Sequence, residues 1–203
     1  MLYDWTGREI QSADLSPKAR HLGQRLTNFE SIDRLESDAS RALTPARLDL
    51  ILREANQGSP ESQARLALEV EEKDPDISHP LQTRRAAVLG RAWSCKPTDP
   101  KDKTAARIAE EAHAMLQAIS PAASPDSQGD DVDFDGLLQN LLSALLPGYA
   151  WLEILWAPGG KSITGFSPGL VEAITFNQSR QPLIKTMKAP LGLAMAPNKF
   201  VFH

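Results

Sequence analysis

The sequence predicts an α+β fold, helices first and a small antiparallel sheet region second, and three features point to it. Between residues 44 and 120, apolar side chains recur at helical spacing between cap and proline signals. After Pro147-Gly148 the pattern becomes short aromatic and branched runs bounded by Gly, Pro, Asn or Ser, as expected of antiparallel strands. Helical runs followed by strand runs, rather than alternating with them, indicate α+β and not a parallel α/β sheet.

Taken in order, residues 1–43 hold short apolar groups among charges (Leu2, Tyr3 and Trp5; Leu22, Leu26 and Phe29) with no sustained period. They read equally as an arm that docks on another surface, with Trp5 as a contact, or as an ordinary chain terminus. Thr44-Pro45 then sets a helix start, a cap followed by proline where its missing N–H costs nothing. Leu48, Ile51, Leu52 and Ala55 form its stripe and Gly58 its stop. Ser59-Pro60-Glu61 repeats the start signal for a second helix through Leu66, Ala67 and Val70. A third runs from Asp76 to Leu89, with Pro80 tolerable only in the first turn and Gly90 as the stop. Residues 91–97 read as one short extended strand with Trp93 and Cys95 on one face. Asp99-Pro100 caps a fourth helix striped by Ala105, Ile108, Ala112 and Ile119.

Residues 121–135 contain five acids and no base, and read as a flexible acidic linker. The last part, 136–203, is a leucine-rich helix (its stripe starting at Phe134) and then strands near 149–156, 162–164, 171–176, 183–185 and 200–202. The domain reading is therefore an arm at 1–43, a helical segment at 44–120, a linker at 121–135, and helix plus strands at 136–203.

Composition narrows the function. Lys and Arg total 22 against 26 Asp and Glu in 203 residues, so the net charge is −4 and overall charge does not hold nucleic acid. One cysteine, Cys95, excludes an internal disulfide framework and any zinc site needing two thiolates. The longest apolar stretch, Leu137–Trp156, is interrupted six times, whereas a span needs about 20 consecutive apolar residues, so no membrane segment is expected.

Local matches to active-site motifs fail on their chemistry. Gly160-Lys161-Ser162 lacks the earlier glycine of a phosphate loop, since Leu155 stands there, and strand follows it instead of helix. Gly165-Phe166-Ser167-Pro168-Gly169 fits G-x-S-x-G, but Pro168 follows the serine and no helical stripe comes next. Asp131, Asp133, Asp135 and Gly136 match the start of a calcium loop whose bidentate Glu is replaced by Leu142. The histidines at 21, 79, 113 and 203 lie in four separate segments. No enzyme activity, cofactor or metal is expected.

One resemblance goes further. Residues 43–77 (LTPARLDLILREANQGSPESQARLALEVEEKDPDI), the run Leu81 to Trp93, the segment Leu141 to Trp156 and the closing Pro197-Asn198-Lys199-Phe200-Val201-Phe202-His203 follow the order of pieces in Mu-like bacteriophage portal proteins. Tyr3 to Ile10 is similar to that family's start. The resemblance implies the outer, wing-like part of a portal subunit, cut short, because the family's chains are more than twice as long. It implies a ring of a dozen subunits at the vertex of the virion head, assembled in the host cytoplasm, with terminase and head proteins as partners. Double-stranded DNA would pass through the centre, contacted mainly by parts absent here. Without those parts the chain is expected to associate weakly. Arg84, Arg85, Trp93 and Trp151 are candidate subunit or partner contacts, although Arg84 and Arg85 read more readily as an ordinary polar helix face. The basic excess after residue 160 (Lys161, Arg180, Lys185, Lys188 and Lys199 against Glu172) faces either DNA or solvent. The alternative is a stand-alone α+β adaptor that binds protein through its arm and leucine-rich helix.

Overall fold

The structure is a computed structural model and describes residues 40, 43–121, 129–157, 160, 162–186 and 189–203. Among these residues five α-helices come first: α1 (Pro45–Asn56), α2 (Glu61–Lys73), α3 (Pro75–Leu89), α4 (Lys103–Gln117) and α5 (Phe134–Leu142). Six strands follow: β1 (Trp151–Trp156), β2 (Ile163–Pro168), β3 (Ile174–Phe176), β4 (Pro182–Thr186), β5 (Ala189–Ala194) and β6 (Phe200–Phe202). They form two three-stranded antiparallel sheets, β2-β1-β6 and β3-β4-β5. The α+β order expected from the sequence is the order observed.

Caps set the helix starts. Thr44 accepts from the Arg47 amide, Asp74 from Asp76, Asp102 from Thr104 and Asp133 from Gly136, each satisfying an amide that the first turn leaves free. Several boundaries differ from the sequence reading. α2 begins after Pro60 with no side-chain cap, because Pro60 itself is the cap residue and its ring carries no acceptor, while the Ser59 amide bonds back to the Glu54 carbonyl and closes the preceding turn. α3 begins at Pro75, so Pro80 sits beyond the first turn, inside the helix. α4 begins at Lys103, capped by Asp102 and not by Asp99. Residues 91–97 belong to no strand; Trp93, Cys95 and Pro97 nevertheless alternate inward between exposed neighbours. Val171–Ala173 is a short 3₁₀ turn and only Ile174–Phe176 pairs as a strand. β5 was not anticipated at all.

Residues 122–128 of the acidic segment and residues 1–39, Trp5 among them, lie outside the described residues. The end of the acidic segment is tied down, since Val132 and Phe166 exchange both backbone hydrogen bonds and α5 starts two residues later.

β1 is the centre of the molecule and is buried on both faces. Trp151 faces one cluster, with Ala64 of α2, Val171, Ala173, Ile174 and Ile184. Leu152 faces another, with Ile119, Leu137 and Phe166. The turn between α1 and α2 is fixed to the second sheet at Gly58. Its carbonyl accepts from the Phe176 amide (2.7 Å) and from the Thr175 hydroxyl (2.8 Å). Gly58 has φ +95°, and a Cβ there would lie 2.5 Å from the Phe176 oxygen, so conformation and space both demand glycine. Among the described residues no helix is long and apolar enough to cross a membrane.

Candidate functional site

The candidate contact residues fall in three places. Arg84 and Arg85 are neighbours on α3 but face different ways. Arg84 is exposed. Arg85 is a junction: its guanidinium pairs bidentately with Glu71 of α2, and its Nε donates to the Leu142 carbonyl at the end of α5 (3.2 Å). Such a planar fork is what a two-point carboxylate contact needs, with a donor left for the carbonyl. Arg85 therefore joins three helices, while Arg84 presents a charge to solvent.

Trp93 lies on one wall of a cleft of about 920 Å³ between the end of α3 and the start of α5. Its ring packs 4.4 Å from Phe134 and 4.7 Å from His113, and its Nε1 donates to Asp135 (3.1 Å). Asp131 and Asp133 line the same cleft. The carboxylates of the incomplete calcium motif thus have separate tasks, Asp133 as the α5 cap and Asp135 as the Trp93 partner. Among the described residues no group of three or more His, Cys, Asp or Glu could hold a metal ion.

Trp151 is wholly inside. It has no exposed surface, and its Nε1 donates to the Leu170 carbonyl (2.9 Å). Within this fold its side chain offers nothing for a neighbouring molecule to touch. Gly169 lies flat against the indole, where a Cβ would come within 2.0 Å of Cε2. That close approach accounts for the last glycine of the G-x-S-x-G match. Ser167 itself sits in β2 opposite Glu153, buried, on a strand and not at a strand-to-helix elbow.

Sequence reasoning missed the polar centre of this region. Glu153 and Lys199 form an ion pair of 3.0 Å, and their side chains are 0% and 2% exposed. The Lys199 Nζ also donates to the Ile154 carbonyl (3.3 Å). Glu153, Ser167 and Lys199 are the buried polar or charged residues among those described, and all three lie around β1. The basic excess after residue 160 is accordingly not one face. Lys199 is internal, Lys185 pairs with Glu61 (3.1 Å), Arg180 is exposed, and the side chains of Lys161 and Lys188 lie outside the described residues. The expectation that Lys199 faces DNA or solvent is corrected: the opposite lone charge of β1 draws it inside.

Two ionisable groups are displaced from their ordinary behaviour. A hydrogen bond from Lys73, then one from Ser40, hold the Glu69 carboxyl down at about 2. Burial, reinforced by the negative charges of Glu172 and Glu61, pushes the Tyr149 phenol well above its usual range. Its hydroxyl is buried with no hydrogen-bond partner.

Against known families, the model for the portal protein of Mu bacteriophage matches residues 64–203, from within the first turn of α2 through β6. The chain belongs to this family. It is similar to the Mu-like prophage FluMu protein gp29 of Haemophilus influenzae, 37% identical over 117 residues, covering 58% of this chain and 20% of that protein. It is also similar to the portal protein of Escherichia phage Mu, 30% identical over 128 residues, covering 63% of this chain and 23% of that protein. The match spans about a fifth of the length of these curated relatives. The matched region leaves out Tyr3 to Ile10 and the first part of the 43–77 block. It includes both pieces that meet at the buried pair, since Glu153 stands in the Leu141–Trp156 segment and Lys199 in the closing Pro197–His203 segment. In this portal-family chain two separate sequence resemblances are one structural feature, β6 laid on β1 and joined by a salt bridge.

Proposed function

We propose that the chain is the outer, wing-like part of a phage portal subunit, a structural element of the ring at the head vertex through which double-stranded DNA is packaged and ejected. The observation that carries this is the family match across residues 64–203, the packed body of the molecule. In this reading the chain makes and breaks no bonds. Its partners are other copies in a closed ring of a dozen subunits, terminase and head proteins. DNA is contacted mainly by other parts of the subunit. Its place is the portal vertex of the virion, reached from the host cytoplasm during assembly. A closed ring needs two different complementary faces on each subunit. Exposed Arg84 and the Trp93 cleft are the candidates for one of them, whereas Arg85 acts inside the subunit by holding α2, α3 and α5 together.

The test is made on the full-length gene product that contains this segment. Electron microscopy of the purified protein should show closed rings with an axial channel. A phage lacking the gene should produce heads without nuclease-protected DNA. A protein that folds but stays monomeric, together with normally filled heads in its absence, would refute the proposal in favour of a stand-alone adaptor.

A further inference from the structure

We infer that the buried Glu153–Lys199 pair is the register lock of β6, the device that selects one alignment of the closing strand on β1. The need for one follows from the sequence of that strand. β6 is only Phe200-Val201-Phe202 and every residue in it is apolar. It pairs Trp151 with Phe202, Leu152 with Val201 and Glu153 with Phe200. Strand register is ordinarily set by alternation, because a slip of one residue turns the apolar face outward. Here β1 is buried on both faces and β6 is apolar on both, so a slip exchanges one apolar contact for another. Among the described residues β6 is also at the edge of its sheet, with no second strand to hold it.

The charges remove that degeneracy. Each residue of slip moves Lys199 by about 3.3 Å along β1. In the observed alignment its ammonium meets the Glu153 carboxylate and the Ile154 carbonyl together. In a shifted one the ammonium leaves these partners and the carboxylate, which has no exposed surface, loses its counter-charge, and a buried charge separated from its counter-charge is among the most unfavourable groups a fold can contain. The turn before β6 supports the same alignment. Asn198 adopts φ +61°, and its carbonyl accepts from Trp156 Nε1 (2.9 Å). A polar pair that fixes alignment within an apolar interface is a recognised use of buried charge.

The experiment compares the full 203-residue chain with E153M/K199M, which removes both charges and keeps the volume apolar, by nuclear magnetic resonance of the strand residues. The natural chain should give one set of resonances for residues 199–203, with Hα–Hα contacts between Trp151 and Phe202 and between Glu153 and Phe200. E153M/K199M should stay folded with cooperative unfolding, yet show more than one set of resonances and cross-strand contacts displaced from those pairs. A folded E153M/K199M with one set and the natural contacts would overturn the inference, because apolar packing alone would then choose the register. An E153M/K199M chain that does not fold would overturn it too, since the pair would then be supporting the fold and not selecting among alignments.

Discussion

Gly169→Ala tests the packing around β1 most sharply, because the change is one methyl group and the structure states what it meets. The added Cβ would lie 2.0, 2.2 and 2.3 Å from Cε2, Cζ2 and Cδ2 of Trp151. Carbon atoms rest about 3.5–4.0 Å apart, so the indole must retreat by more than about 1 Å. It has no exposed surface, so its retreat must displace the residues packed around it. Overpacking of this kind costs about 1–3 kcal/mol. Retreat also stretches the 2.9 Å bond from Trp151 Nε1 to the Leu170 carbonyl, and an unsatisfied buried N–H costs a further ~1–3 kcal/mol. The sum is about 2–6 kcal/mol, a large share of the roughly 5–15 kcal/mol that holds a domain folded. No positive φ contributes at this glycine, so the effect is one of space alone. Urea unfolding followed by circular dichroism reads it directly. Adding Trp151→Leu to G169A should recover part of the loss, giving a non-additive cycle as expected of residues in contact. A G169A midpoint within about 0.5 kcal/mol of the natural chain would refute the argument, since that is the range of an indifferent surface change.

Two predictions concern pH. Hydrogen bonds from Lys73 and Ser40 lower the folded Glu69 carboxyl from 4.5 to about 2, so its contribution is present above pH 4.5 and disappears as pH falls toward 2. Unfolding titrations should therefore show Glu69→Gln less stable than the natural chain at neutral pH, the gap closing across that window; a gap that ignores pH would show the carboxylate charge to be irrelevant. For Tyr149 the sign is opposite. Its phenol is raised above the unfolded value of 10.0 by burial and by Glu172 and Glu61, so the folded state loses stability as pH rises past 10. Tyr149→Phe keeps the ring contacts with Phe176 and Phe202 and removes a hydroxyl that has no partner. It should be neutral or up to about 1 kcal/mol stabilising near pH 7, with the advantage growing above pH 10. A clear loss at neutral pH would mean that the hydroxyl is bonded after all.

The features legible in the sequence are those written locally. Thr44-Pro45, Gly58 and the stripe through Ile51 specify α1 within a dozen residues, and the run from Trp151 to Trp156 specifies a strand because nothing polar interrupts it except Glu153. Where distant residues decide, the sequence misleads. Val171 to Phe176 carries strand-forming residues, yet Val171–Ala173 turns as a 3₁₀ segment against α2 because the chain must pass from the first sheet to the second there. β5 hides behind Pro190 and Gly192. Gly192 has φ +96° at an irregular stretch of the β4–β5 pairing, and a side chain there would strike Leu183, so the glycine that reads as a breaker is what allows the strand to pass. Trp151 looks like a contact residue from its type and is a core residue from its place. The same reasoning explains why the Glu153–Lys199 centre was invisible. A lone acid in one apolar run and a lone base before another are each unremarkable, and only the antiparallel pairing of β1 with β6 turns two unfavourable burials into one ion pair. Local rules identify which residues want to be inside, and topology decides which charges are permitted to join them.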